Sequence, residues 1–95
     1  MSDYREDLLE DLKDPSYAAQ YLSSAYADSS EAFLVALRDV ADVYFGMTKL
    51  ATKSGINREN LYRMLSETGN PRLTSLRAVL QTLGMEIEIK VSRRR

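Results

Sequence analysis

Apolar side chains recur every third or fourth position along most of this chain, the period of helices that bury one face. Tyr4, Leu8 and Leu12 mark a first helix over residues 3–12. Asp14-Pro15 restarts the chain: Asp14 offers a capping carboxylate, and Pro15 suits a first helical position that needs no N–H. Tyr17, Ala18, Tyr21, Leu22 and Ala25 continue the spacing, and Tyr17, Tyr21 and Tyr44 are assigned to packing. Asp28-Ser29-Ser30-Glu31 reads as a capping box with Asp28 as the cap. The third helix carries the strongest period, Phe33, Ala36, Leu37, Val40, Ala41 and Tyr44, and Gly46 ends it.

Two short helices follow across a tight turn, with the spacing of a helix-turn-helix. Ala51 is small where the helices cross, and Gly55, four residues later, meets the turn's demand for positive φ. Thr48 caps the first helix and Asn57 the second. Ile56, Leu61 and Met64 dock the second helix on the first, which leaves Asn57, Arg58, Glu59, Tyr62, Arg63 and Ser66 on the opposite face. A face so rich in hydrogen-bonding groups suits a major groove. Helix pairs of this kind also occur in ordinary bundles, so the pattern alone leaves a pure packing role open. Gly69-Asn70-Pro71 then forms a loop, with Gly69 taking positive φ and Pro71 holding Asn70 extended. Thr74 caps a last helix with the stripe Leu76, Val79, Leu80 and Leu83, and Gly84 stops it.

Beyond Gly84 the period drops to two. Met85, Ile87, Ile89 and Val91 alternate with Glu86, Glu88 and Lys90, which is a strand pattern. Nothing else in the chain reads as a strand, and an unpaired apolar strand seeks a partner. Pairing with the same strand of a second subunit makes these four residues a homodimer interface. The alternative is a tail laid across its own helices.

Charge divides the chain. Residues 1–45 hold three basic side chains (Arg5, Lys13 and Arg38) against ten acidic ones, a net of −7; residues 46–95 hold ten basic against four acidic, a net of +6. The near-neutral total of −1 conceals this. A basic half that contains the helix pair fits phosphate contact, whereas an acidic half is repelled by DNA and free for another partner. A solvated helix face accounts for acidic residues equally well. With 95 residues the chain is one small domain, and 44% apolar content is enough to fold it. No cysteine and no histidine are present, which removes thiol nucleophiles, disulfides and the commonest general base and metal ligands. No catalytic residue, metal or cofactor is expected, and the chain is read as no enzyme. Neither a membrane span nor a signal-peptide pattern is found, so a cytoplasmic protein is expected.

Several stretches together resemble the probable addiction-module antidote proteins, which are HigA-like antitoxins with a lambda-repressor-type helix-turn-helix. They are Tyr17-Ala18-Ala19-Gln20-Tyr21-Leu22, the run from Phe33 to Ala41, Leu50-Ala51 with Gly55, and Leu61-Tyr62-Arg63-Met64-Leu65-Ser66. The loop Gly69-Asn70-Pro71-Arg72-Leu73 and the ending Leu80-Gln81-Thr82-Leu83-Gly84 complete the likeness. It runs from about residue 14 to residue 89 and leaves residues 3–12 and 92–95 outside. The resemblance implies an all-α, five- to six-helix lambda-repressor-like helix-turn-helix domain with a short C-terminal β-strand. One domain over 1–95 would comprise acidic helices over 3–45, the helix-turn-helix over 48–66, a last helix over 74–83 and a strand over 85–91.

By function the resemblance implies the antitoxin of a type II pair, which binds a small basic RelE/ParE-like toxin and represses its own operon at operator DNA. A free-standing helix-turn-helix repressor without a toxin is the alternative, and a module that binds only proteins is a weaker one. On the family's geometry Asn57, Arg58, Glu59, Tyr62 and Arg63 read bases, with Arg suited to guanine, Asn to adenine and Glu to cytosine. Thr48, Lys49 and Lys53 position phosphates, and Arg72, Thr74 and Ser75 do so at the next helix start.

Overall fold

The helical period of the sequence becomes six helices in the computed structural model, which describes residues 3–93. They are α1 (Tyr4–Asp11), α2 (Pro15–Asp28), α3 (Ser30–Tyr44), α4 (Met47–Ser54), α5 (Arg58–Met64) and α6 (Leu73–Thr82). Of the one-domain range expected from sequence, residues 1–2 and the final Arg94-Arg95 lie outside the described residues.

The first two helix starts follow the sequence. Asp3 accepts from the Arg5 N–H at 2.9 Å, and Asp14 accepts from the Ser16 N–H at 3.0 Å with Pro15 in the first turn. The third start does not. Ser29, rather than Asp28, caps α3, its hydroxyl accepting from the Ala32 N–H at 3.0 Å. Asp28 is still the last residue of α2, and a helical residue cannot take the extended conformation of an N-cap; Ser29, at φ −168° and ψ 163°, does. One residue therefore ends α2 and begins α3.

Helix α3 is the centre of the packing: α1 and α2 lie against it, and α4 meets it from the other half, with α5 and α6 packed on α4. Leu34, Ala36, Leu37, Val40 and Ala41 are buried along it, and they join Leu12, Ala18 and Leu22 from the front half. Met47, Leu50, Ala51, Leu61, Met64, Leu65, Val79, Leu80 and Leu83 continue the same core through the back half. Leu34 takes the buried place expected of Phe33, which is only partly buried. Tyr17, assigned to packing, and Tyr4, on the stripe of the first helix, both stay outside the core. Tyr4 is 92% exposed, since α1 docks through Leu8, Leu9 and Leu12, and Tyr17 is exposed as well. Tyr21 and Tyr44 do pack partly against the core, and the Tyr44 hydroxyl donates to the Lys13 carbonyl at 3.4 Å.

Asp39 is the one buried charged residue among those described. Its carboxylate accepts from the Arg5 guanidinium at 2.7 Å and from the Tyr21 hydroxyl at 3.0 Å, so three helices meet at one side chain. Burial and the Asp39 carboxylate both disfavour the phenolate and hold the Tyr21 hydroxyl above its ordinary range, while Asp39 raises Arg5 further still.

No strand forms among the described residues of the single chain, where residues 85–91 run on from α6 without a neighbouring strand. The reason is physical: a strand exists by its ladder, and six helices supply no second edge.

Removing the Asp39 carboxylate leaves the Tyr21 hydroxyl without its acceptor, whereas Arg5 is half exposed and regains water. Asp39→Ala is therefore expected to lower unfolding stability by about 2 kcal/mol, most of it from the tyrosine bond. Tyr21→Phe should cost less, because Asp39 keeps Arg5. Urea unfolding followed by circular dichroism measures both, and an unchanged midpoint for Asp39→Ala would remove the carboxylate from the packing of α1 and α2.

Candidate nucleic-acid interface

Between α4 and α5 the chain turns in three residues, 55–57. Gly55 takes the left-handed conformation, φ +75° and ψ 18°, and its N–H donates to the Ala51 carbonyl at 3.0 Å. The Ile56 N–H donates to the same carbonyl at 3.2 Å, closing α4. Asn57 then caps α5 as its sequence position implies, accepting from the N–H groups of Glu59 at 2.9 Å and Asn60 at 3.3 Å. Buried Leu61 and Met64 and half-buried Ile56 hold the second helix on the first.

Two further caps expected from sequence are replaced. Helix α4 begins at Met47 behind Gly46, with no side-chain cap, so Thr48 lies inside its first turn. The Leu50 N–H already donates to the Gly46 carbonyl at 3.0 Å, and the buried Met47 side chain draws the helix start forward. Helix α6 likewise begins at Leu73, with the Leu76 N–H on the Arg72 carbonyl at 2.9 Å; Arg72 is the cap residue and Thr74 lies within the turn. Gly69 has a different role from the one expected. It does not take positive φ; a Cβ there would stand 2.5 Å from the Met64 carbonyl oxygen and 2.9 Å from that of Arg63. Close approach of the loop to the end of α5 is what requires glycine.

Thr48, Lys49 and Lys53 of α4, Asn57 in the turn, and Arg58, Glu59, Tyr62 and Arg63 of α5 are all exposed. Arg72 and Thr74 at the start of α6 are exposed too, and Ser75 is half-buried. Rings and cations draw some of these together. The Arg58 guanidinium carbon stands 5.7 Å from the Tyr62 ring centroid, and the Lys53 ammonium 5.3 Å from that of Phe45.

Arg38 is the residue sequence reasoning missed. It belongs to α3 in the acidic half, yet its guanidinium carbon lies 4.9 Å from the Tyr62 ring centroid, so two arginines approach one exposed ring. Its Nε also reaches Asp42 at 3.5 Å. Only an isolated basic position on α3 hinted at this in the sequence.

The acidic surplus is smaller in space than in the count. Asp39 is buried, Asp3 and Asp14 serve as caps, Asp42 faces Arg38, and Glu10 pairs with Lys13 at 2.9 Å. Glu6, Asp7, Asp11, Asp28 and Glu31 remain exposed, with no ion pair among the described residues. An open groove between α1 and α3 is lined by Arg5, Glu6, Leu9, Glu10, Lys13, Asp42 and Val43.

A family model for the probable addiction module antidote proteins matches residues 4–91. This chain belongs to that family. The match takes in α1, which the likeness read from sequence had left outside. An uncharacterized protein of Haemophilus influenzae is 38% identical to this chain over 66 residues, covering 70% of this chain and 67% of the other. No solved structure is matched.

The two glycines that shape the helix pair should fail differently when substituted. Gly69→Ala drives a Cβ into backbone carbonyls that cannot yield and is expected to cost about 3 kcal/mol. Gly55→Ala meets open space but keeps a strained φ, for about 1–2 kcal/mol. Thermal melts of the two variants give the order; a milder Gly69→Ala would mean that the loop stands off α5.

Proposed function

We propose that this antidote protein is the antitoxin of a type II toxin–antitoxin module. It neutralises a small basic RelE/ParE-like toxin by direct binding and represses its own operon at operator DNA, as a cytoplasmic homodimer. The DNA-binding part is a HigA-like, lambda-repressor-type helix-turn-helix formed by α4 and α5. The observation that carries the reading is the division of α5: Leu61 and Met64 are buried behind it, while Arg58, Glu59, Tyr62 and Arg63 face solvent.

On this reading α5 enters the major groove. Arg58 and Arg63 offer guanidinium forks to guanine, and Glu59 accepts from cytosine. The Asn57 carbonyl is occupied by capping, which leaves its amide N–H groups to donate. Lys49 and Lys53 meet phosphates. The first turns of α4 and α6, where Thr48, Arg72, Thr74 and Ser75 lie, carry no side-chain cap, so their backbone N–H groups suit phosphate oxygens. Arg38 joins this face through Tyr62. A two-fold pair of such domains sets half-sites about 34 Å apart or a multiple of that. The exposed carboxylates of α1 to α3 steer a basic toxin, with exposed Tyr4 and Tyr26 as aromatic anchors and Phe33 edge-on to Tyr26 at 5.6 Å between centroids.

Arg58→Ala or Arg63→Ala should weaken operator binding by about 1–3 kcal/mol and relax its specificity. Lys53→Ala and Arg38→Ala should weaken all sequences alike and lower the salt slope by about one. Mobility-shift titrations at two salt concentrations separate the two behaviours, and unchanged operator affinity in both α5 variants would take that face off the DNA.

Replacing Glu6, Asp7, Glu10 and Asp11 with neutral residues should slow toxin association and flatten its salt dependence, with DNA binding untouched. Stopped-flow or biosensor kinetics at low salt read this. Association as fast as the parent's would remove α1 from the toxin interface.

A further inference from the structure

Among the described residues the fold leaves one alternating apolar run uncovered, in the chain that follows α6. Met85 does not belong to it. Its N–H donates to the Leu80 carbonyl at 2.8 Å, and its side chain packs partly buried against the core. Past that anchor the side chains face solvent: Ile87 is 51% exposed, Ile89 93% and Val91 88%. They alternate with Glu88 and Lys90, so in an extended chain the three apolar residues share one face and the two charges the other. The set still to be buried is therefore centred on Ile89. Counting Met85, as the sequence pattern alone does, would centre it on Glu88.

We propose that residues 87–91 pair antiparallel with the same residues of a second copy, about a two-fold axis through Ile89. This rests on the homodimer of the preceding reading and assigns its register. Ile89 then faces its own counterpart, and Ile87 faces Val91 of the partner subunit. On the opposite face Glu88 meets Lys90 of the partner subunit, twice by symmetry. Every cross-strand pair is apolar with apolar or acid with base, which is how a sheet register is held.

Charge excludes the neighbouring registers. An axis at Glu88 sets that carboxylate against itself, an axis at Lys90 does the same to the ammonium, and an axis at Ile87 opposes Glu86 with Glu88. Axes between residues place apolar side chains opposite charged ones, because a one-residue slip exchanges the faces. Parallel in-register pairing aligns Glu88 with Glu88 and Lys90 with Lys90. The strand is self-complementary at one register only, which favours a second copy over the sheet edge of another protein.

The chain contains no cysteine, so single cysteines report the axis directly. In the otherwise unaltered full chain, Ile89→Cys should form a disulfide dimer under mild copper–phenanthroline oxidation about ten-fold faster than Glu88→Cys, since only the former meets its own symmetry mate within bonding distance. Glu88→Lys and Lys90→Glu should each raise the dimer dissociation constant roughly ten-fold in sedimentation equilibrium, and the two together should restore it to within about three-fold. Faster cross-linking of Glu88→Cys, or a double variant no tighter than the singles, overturns the register while the dimer stands. A dimer in which neither cysteine cross-links places the interface elsewhere and overturns the pairing alone. A parent chain that sediments as a monomer overturns both the pairing and the dimeric repressor.

Discussion

A single buried carboxylate sets how the front helices of this protein are placed. Asp39 lies inside α3, and its two oxygens are taken by different helices, one by Arg5 of α1 and the other by Tyr21 of α2. A carboxylate out of water must find such partners or be destabilising. That requirement sets the positions of two helices whose own apolar surface is thin. No residue of α1 is fully buried, and α2 buries only Ala18 and Leu22. Arg5 keeps half of its surface in water, so the bond works mainly as a positional clip, and the strength lies in the apolar packing around it.

Helix α3 consequently serves two halves of opposite charge. Asp39 ties it to α1 and α2, and the preceding residue, Arg38, reaches the exposed ring of Tyr62 on α5. Adjacent side chains on a helix diverge by about a quarter turn. One helix can thus clip the acidic front and steady the polar face of the back. The capping pattern cuts across this division, since α5 of the back half is capped while its neighbours are not. Helices α1, α2, α3 and α5 have side-chain caps, whereas α4 and α6 begin without one.

Particular residues show where sequence reasoning holds and where it stops. Gly55 and Asn57 were legible because their conformations depend on immediate neighbours: a left-handed turn requires Gly, and a helix start requires a short polar side chain. The stripes Leu37–Val40–Ala41 and Leu61–Met64 were legible because helical spacing alone determines a buried face. Asp28, Thr48 and Thr74 each had a capping side chain at a plausible place and did not cap, since the helix start moved by one or two residues under tertiary packing. Tyr4 and Tyr21 are the same residue type at similar spacing, yet one is free in solvent and the other bonds Asp39. Only the neighbour across the interface distinguishes them.

By itself the sequence determined the helical class, the tight turn between α4 and α5, the polar face of α5 and the division of charge, all of which arise from contacts or periods within a few residues. Tertiary structure decided everything that depends on residues far apart in the chain. It paired Arg5 with Asp39 across 34 positions, brought Arg38 to Tyr62, and pressed Gly69 against the carbonyls of Arg63 and Met64. It also took Met85 into the core while leaving Ile87, Ile89 and Val91 outside. An alternating pattern states that a face is apolar; only the packed fold states how much of that face is already covered.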